Sequence, residues 1–284
     1  MRCEDLFFSY GKKEILNGIG FCAQPGKILA IVGDNGCGKT TLLKLLGKFL
    51  KNNSGKIDYE NKDTEHLECA GIFEVPHLWP QLTGLENLQY YLRDKYNYER
   101  VSDAIKSFNL DKAMSMKIKN YSLGMQQKLA IILSIATDSS ILLYDEPTNS
   151  LDQDSVEVFY GLMREEANRG RTIVLVTHVL SELENRCDRI LFFRDKKLIS
   201  LEDESEYGSG QTFEIVFDST ENANEAIKTL GEEQIVERSE CKVTVYADCE
   251  SISEIIRKLC VYNIMAVYPQ KKTIKMLYKE MMQK

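Results

Sequence analysis

The nine residues GDNGCGKTT, Gly33 to Thr41, constrain the fold of this chain more than any other stretch. They lie between an apolar, strand-like run, KILAIV, and a helical pattern, TTLLKLLGKFL. Glycine costs backbone entropy inside a helix or strand, so the three glycines predict a tight loop between the two elements. The loop fits the pattern G-x-x-x-x-G-K-[ST], in which backbone N–H groups surround phosphate oxygens. The following helix start would offer further N–H groups to the same anion.

The loop therefore predicts a nucleotide-phosphate site, and a glycine-rich turn without a ligand is the alternative. Lys39 would reach the terminal phosphates, and the Thr40 hydroxyl would bind Mg²⁺. Cys37 is open to two interpretations, a reactive thiolate favoured by Lys39 or an inert small residue. The predicted phosphate-binding residues are Gly33, Asn35, Gly36, Cys37, Gly38, Lys39, Thr40 and Thr41.

Strand-like and helical patterns alternate after this loop, which favours an α/β fold with a mostly parallel sheet. The strand-like runs are KILAIV, AGIFE, SSILLYDE and RTIVLVTH. Ligands of such sheets bind beyond the carboxyl ends of the strands. The runs end at the loop, at Glu74, at Asp145–Glu146 and at His178, so we expect these groups to meet at one edge. Before them, EDLFFSY and EILNGIGFCA predict an antiparallel hairpin.

A second pattern of strand-like and helical segments follows the acidic and small residues EDESEYGSG, 202 to 210. It is typical of strand, helix, two strands, helix and strand, the order of a ferredoxin-like unit. We predict a first domain over 1–202, a linker over 203–210 and a small α+β domain over 211–284.

Composition restricts the class of protein. The net charge of −7 argues against a broad basic surface for nucleic acid. The eight cysteines are scattered without a CxxC pair, which is typical of free cytosolic thiols. We expect no signal peptide at the N-terminus, and the apolar stretch LAIILSIA is far shorter than the ~20 residues that cross a bilayer. Any membrane role would then come from another subunit.

Two carboxylates end the run ILLY. Asp145 is placed to hold Mg²⁺, and Glu146 is placed to orient a water molecule against a γ-phosphate. His178, seen alone, is more typical of a structural histidine.

The stretches YSLGMQQKLAIILSIA and ILLYDEPTNSLD resemble the signature motif, the P-loop-partner strand and the D-loop of ATP-binding-cassette (ABC) ATPases. With the P-loop upstream and VTH downstream, the resemblance covers about residues 1 to 200. It implies a P-loop NTPase core with an N-terminal antiparallel β subdomain and a helical signature subdomain. It also implies a head-to-tail homodimer or heterodimer that holds two ATP molecules, each between one P-loop and the partner's signature.

The same resemblance implies roles for further residues. Tyr10 would stack on adenine, although packing against the hairpin is the alternative. Asp152 would lie at the dimer seam, and a plain helix cap competes with that role. His178 would contact the γ-phosphate. The signature residues implied to bind the partner's ATP are Ser122, Gly124 and Gln126.

Glu74 departs from the family pattern. Aligned on LTGLENL, it stands where the family usually has glutamine, and it adds a charge to the Mg²⁺ ligands Thr40 and Asp145. A glutamate here resembles the subgroup associated with bacitracin and lantibiotic export or self-immunity.

The resemblance thus implies a Mg²⁺-dependent ATPase with Glu146, His178 and Lys39 as catalytic residues. We expect a cytoplasmic exporter subunit on the inner face of the cell membrane, which powers separate transmembrane permease subunits and serves peptide antibiotics. The alternative is a non-transport cassette protein that acts on ribosomes or DNA.

Overall fold

The computed structural model describes residues 1–59, 69–73, 77–92, 98–200, 211–231, 234–247 and 251–270. The chain divides into two compact units, Met1–Leu201 and Glu202–Lys284. Among the described residues, no helix is long and apolar enough to cross a membrane.

The first unit combines two sheets with helices. Its strands are β1 (Arg2–Tyr10), β2 (Lys13–Cys22), β3 (Ile28–Val32), β4 (Ser54–Asp58), β5 (Cys69–Ile72), β6 (Ile141–Asp145), β7 (Thr172–Thr177), β8 (Arg189–Arg194) and β9 (Lys197–Ser200). Its helices are α1 (Lys39–Leu46), α2 (Gly84–Leu92), α3 (Tyr98–Ser107), α4 (Leu123–Ala136) and α5 (Gln153–Asn168).

The larger sheet has the order β5-β6-β7-β3-β8-β9, and its first five strands are parallel. Strand β9 closes the edge in the antiparallel direction. Every residue of β3, β6 and β7 is buried, as expected for parallel strands covered on both faces. The predicted mostly parallel α/β core is confirmed. The antiparallel sheet β2-β1-β4 confirms the predicted N-terminal β subdomain.

Helices cover both faces of the large sheet. Leu143 of β6 lies in the core cluster that also contains Leu42 and Leu43 of α1. Its neighbour Tyr144 points to the other face, because side chains alternate along a strand, and packs edge-on against Phe159 of α5 at 5.4 Å between ring centroids. Helices α2 and α3 pack on α4 and form the helical part of the unit.

Four elements of the first unit were not among the predicted ones. Strand β4 pairs with β1 in the antiparallel sheet. Strands β8 and β9 extend the sheet beyond the four expected strands, and α3 precedes α4. Helix α2 is described as far as Leu92.

The second unit contains β10 (Gln211–Phe217), α6 (Thr220–Thr229), β11 (Ile235–Ser239), β12 (Lys242–Ala247), α7 (Ser251–Leu259) and β13 (Ile264–Gln270). Its antiparallel sheet has the order β11-β12-β10-β13. Ile215 and Val245 of the sheet pack with Ala226 of α6 and Ile255 of α7 in its own core. The element order is that of the ferredoxin-like motif. The predicted linker, 203–210, lies outside the described residues.

Candidate active site

The loop between β3 and α1 has a backbone that requires glycine. Gly36 and Gly38 have φ angles of +80° and +123°, in the region that side chains disfavour. A Cβ atom on Gly33 would lie 2.9 Å from both Cys37 Sγ and Phe193 Cβ. The loop therefore forms a close-walled cradle that a larger residue at position 33 would fill.

Lys39 is folded back over this cradle. It is buried, and its Nζ donates to the carbonyl oxygens of Gly33 at 2.6 Å and Asp34 at 3.0 Å. Lys39 also begins α1, and the preceding Gly38 has no side chain to cap the first turn. The backbone N–H groups at the helix start and the ammonium group are donors of the kind that an anion site requires.

Thr40 and Asp145 meet beside the cradle. Thr40 Oγ1 donates to Asp145 Oδ2 at 2.6 Å, and Asp145 is buried at the end of β6. A hydroxyl and a carboxylate are the oxygen ligands that Mg²⁺ accepts in phosphate sites, where waters and phosphate oxygens complete its octahedron. The described residues contain no group of three or more His, Cys, Asp or Glu side chains that could hold a metal alone. The Thr40 hydroxyl and the Asp145 carboxylate have the chemistry that fits a phosphate-bound Mg²⁺.

Glu146 lies between two other predicted catalytic residues. Its Oε1 is 3.7 Å from Lys39 Nζ, and its Oε2 is 2.9 Å from Nδ1 of His178. Its backbone has a φ of +46°, a strained conformation for a residue with a side chain. The Glu146 N–H donates to the carbonyl oxygen of Val176 at 3.0 Å, which holds this conformation against β7. The structure thus brings the P-loop, both carboxylates and His178 together.

The signature residues form a second group at the start of α4. Ser122 caps the helix by accepting from the Met125 N–H at 3.2 Å. A Cβ atom on Gly124 would lie 2.6 Å from the carbonyl oxygen of Ser150, so this helix start packs directly on the D-loop backbone. Gln126 Nε2 is 3.4 Å from the Tyr121 carbonyl oxygen.

Asp152 is the N-cap of α5. Its Oδ1 accepts from the Ser155 N–H at 2.9 Å and from Ser155 Oγ at 2.6 Å. Lys128 Nζ of α4 is 3.3 Å from Oδ2. The hydrogen bonds from Ser155 lower the Asp152 pKa to about 2. The helix-cap interpretation therefore describes this structure, and the role at a dimer seam stays a prediction.

Three further predictions concern single residues. Tyr10 ends β1, is 50% exposed and packs edge-on against Phe8 at 4.8 Å, which leaves adenine stacking as a prediction. Burial raises the pKa of Cys37 and outweighs the opposing effect of Lys39, which favours the inert interpretation of this thiol. Glu74 lies outside the described residues.

Sequence reasoning missed two polar residues of α4 that contact this site. Gln127 and Ser134 are both buried, and they bond to Pro147 and Tyr144, the residues on either side of Asp145–Glu146. Ser134 left a signal, because it is a polar residue within the apolar run LAIILSIA, whereas Gln127 lies between the polar residues Gln126 and Lys128 and left none.

Comparison with known proteins identifies the family. Residues 16–149 match the family model described as ABC transporter. The chain is 33% identical over 272 residues to the uncharacterized ABC transporter ATP-binding protein YdbJ of Bacillus subtilis (strain 168), which covers 91% of this chain and 87% of that protein. It is 29% identical to the lantibiotic transport ATP-binding protein SrtF of Streptococcus pyogenes, over 77% of this chain and 96% of that one. It is also 29% identical to the ribose import ATP-binding protein RbsA of Bacillus licheniformis, over 70% of this chain and 44% of that one.

A solved structure agrees with these relatives. The dimeric post-hydrolysis state of the ATP-binding cassette MJ0796 bound to ADP and Pi superposes with a TM-score of 0.60 at 26% identity, over 69% of this chain and 95% of that one. The chain therefore belongs to the family of ABC transporter ATP-binding proteins.

Proposed function

We propose that this protein is the Mg²⁺-dependent ATPase subunit of an ABC exporter and drives separate transmembrane subunits. One observation carries the catalytic part of the proposal. Glu146, in a strained backbone conformation, places its two carboxylate oxygens toward Lys39 and His178 at the edge of the phosphate cradle. Strain retained at such an edge is typical of a functional site.

Each residue has a role in hydrolysis. Lys39 and the N–H groups of the P-loop bind the phosphates and stabilise charge as the γ-phosphoryl group transfers. Thr40 and Asp145 would hold Mg²⁺, which supplies further neutralisation of the phosphate oxygens. Glu146 orients the attacking water molecule and accepts its proton. His178 holds the Glu146 carboxylate in that direction and reaches the γ-phosphate.

Two copies of the cassette complete the site. Ser122, Gly124 and Gln126 would bind the ATP held by the partner's P-loop, and Asp152 would lie at the seam. The capped start of α4 supports this role, because a helix N-terminus favours an anion. The dimeric form of the MJ0796 cassette supports the assembly. The partner would be a second copy of this chain or a related cassette.

An apolar cavity supports the proposed transmembrane partner. It has a volume of about 330 Å³ and lies among β5, α2 and α4, with Phe49, Tyr91 and Leu133 in its wall. Phe49 is 66% exposed. Trp79 and Tyr90 form an exposed edge-on pair at 5.6 Å close by, and Tyr90 contacts Tyr91 at 5.3 Å.

We assign this surface to an apolar cytoplasmic segment of the permease. Exposed aromatic clusters around a cavity are typical of protein interfaces. The protein would then lie on the cytoplasmic face of the membrane. Residues 1–202 would act as the ATPase domain, 203–210 as the linker and 211–284 as an accessory domain.

Export of a peptide antibiotic is the proposed transport function. The lantibiotic transport relative supports it, since that relative matches over most of its own length. The ribose import relative is matched over less than half of its length.

Two measurements test the proposal. Purified protein should release phosphate from ATP in the presence of Mg²⁺, and the release should stop when EDTA removes the metal. Protein captured from its native membranes in mild detergent should bring down a multi-span membrane protein whose own sequence narrows the cargo. Recovery with ribosomes or DNA instead would contradict the transport role and leave the ATPase chemistry standing.

A further inference from the structure

Helix α4 is joined to the catalytic segment by two buried side-chain hydrogen bonds. Gln127 Nε2 donates to the carbonyl oxygen of Pro147 at 2.9 Å, and Ser134 Oγ lies 2.6 Å from the hydroxyl of Tyr144. Gln127 and Ser134 are seven positions apart in the sequence. Seven residues are about two turns of an α-helix, so both side chains leave the same face of α4.

The direction of the second bond follows from its neighbours. Ser134 Oγ donates its single hydrogen to the carbonyl oxygen of Ile131 at 2.7 Å. The Tyr144 hydroxyl must therefore donate to Ser134. The Tyr144 ring is held by Phe159 and is fully buried, so its polar atom has a specific partner in α4.

The two bonds flank the catalytic carboxylates. Tyr144 directly precedes Asp145–Glu146, and Pro147 directly follows them. We propose that Gln127 and Ser134 are positioning residues that fix this segment to α4 and thereby aim the Glu146 carboxylate. The proposal rests on the ATPase function proposed above.

The physical reason lies in the strained backbone of Glu146. A residue with positive φ keeps its conformation only when the surrounding structure over-determines it. The hydrogen bond from the Glu146 N–H to the Val176 carbonyl oxygen holds Glu146 against β7. The two hydrogen bonds with α4 hold Tyr144 before the carboxylates and Pro147 after them. If only packing mattered, apolar side chains could fill both positions without burying polar atoms.

The test uses variants that remove a polar atom and little volume. Tyr144→Phe and Ser134→Ala each delete the same hydrogen bond, and Gln127→Met deletes the other. Ser134→Thr keeps the hydroxyl, and Ser134 borders the 330 Å³ cavity, which can accept a methyl group. The matched control is Tyr59→Phe, since Tyr59 is also buried and donates to the carbonyl oxygen of Leu46 at 2.7 Å, in the core beside α1.

We expect kcat for ATP to fall about five-fold in Tyr144→Phe and Ser134→Ala, the factor that about 1 kcal/mol gives at 25 °C. KM and the ATP dissociation constant should stay unchanged, because these residues do not touch the phosphate cradle. The double variant should be no slower than either single variant, since both remove one bond. Ser134→Thr should keep the parental kcat.

Backbone hydrogen exchange supplies a readout that needs no ATP turnover. The amides of Asp145 and Glu146 should exchange faster in Tyr144→Phe and Gln127→Met than in the parental protein or in Tyr59→Phe. If the two hydrogen bonds were purely structural, their variants would have a lower melting temperature, as in Tyr59→Phe, with kcat and the exchange of these amides unchanged. That result would overturn the proposal. A parental protein without phosphate release would instead contradict the proposed function, and the exchange data would still decide the positioning role.

Discussion

Replacing Glu146 by glutamine should separate ATP binding from hydrolysis. The amide has nearly the same volume as the carboxylate, and its oxygen can still face His178, now 2.9 Å from the carboxylate. It cannot accept a proton from water, because an amide is a very weak base. Loss of a positioned base costs a factor of about 10²–10³ in kcat, which corresponds to about 2.7–4 kcal/mol in the barrier.

Binding should survive this change for a structural reason. The glycines of the cradle and Lys39 remain in place, and Lys39 Nζ keeps its bonds to Gly33 and Asp34. Removing the Glu146 charge, 3.7 Å from that ammonium group, leaves Lys39 free of a competing anion, so ATP affinity should stay equal or rise. Steady-state phosphate release and isothermal titration with ATP measure the two quantities separately.

Glu157→Gln supplies the matched control. Glu157 is an exposed carboxylate of α5 that pairs with Arg186, away from the cradle. Its variant should hydrolyse ATP at the parental rate. Parental phosphate release from Glu146→Gln would refute the role of Glu146 as the base, and loss of ATP binding in that variant would show that the carboxylate supports the fold of the cradle.

Three further predictions concern the signature, the D-loop and the metal. Gly124→Ala should abolish ATP-dependent dimerisation, measured by light scattering, because the added Cβ atom would lie 2.6 Å from the Ser150 carbonyl oxygen. The control variant Gly161→Ala should leave the dimer unchanged, because no atom lies within 4 Å of its added Cβ atom. Asp152→Ala should have a lower melting temperature than the parental protein above about pH 4, and the difference should shrink as the pH falls through about 2. The reason is that a carboxylate whose folded pKa is lowered to about 2 stabilises the fold above its unfolded pKa and loses that contribution as the pH falls through the folded value. Thr40→Val should raise the Mg²⁺ concentration needed for half-maximal phosphate release, and an unchanged requirement would remove Thr40 from the metal site.

The parts of the fold that sequence predicted are those with local signals. Strands β3, β6 and β7 are continuous apolar runs that are buried throughout, and the glycines of the P-loop fix a turn of one geometry. Strand β8 was missed although RILFFR is apolar at its centre, since charged residues flank a run of four. The cap formed by Asp152 was one of two open interpretations, and its geometry depends on Ser155, three residues away.

The parts that sequence could not predict depend on contacts between distant segments. Glu146 and His178 were expected at one edge of the sheet, but their direct pairing joins two strand ends that are 32 residues apart, and no local pattern encodes the distance between them. The left-handed backbone conformation at position 146 could not be predicted, because the residue there is glutamate and not glycine. It is maintained by β7 through Val176, so it can be derived only once the sheet order is known.

The contacts of helix α4 with the D-loop link the signature to the segment that follows the catalytic strand β6. Helix α4 touches the chain that follows β6 at successive points, from Pro147 through the Ser150 carbonyl oxygen to Asp152. The contact with Pro147 is buried and the one at Ser150 is close, and closely packed contacts transmit displacement because there is little free volume between them. A movement of the signature helix therefore displaces the D-loop with it. ATP bound by a partner cassette at the start of α4 would in this way act on the segment that carries the catalytic carboxylates.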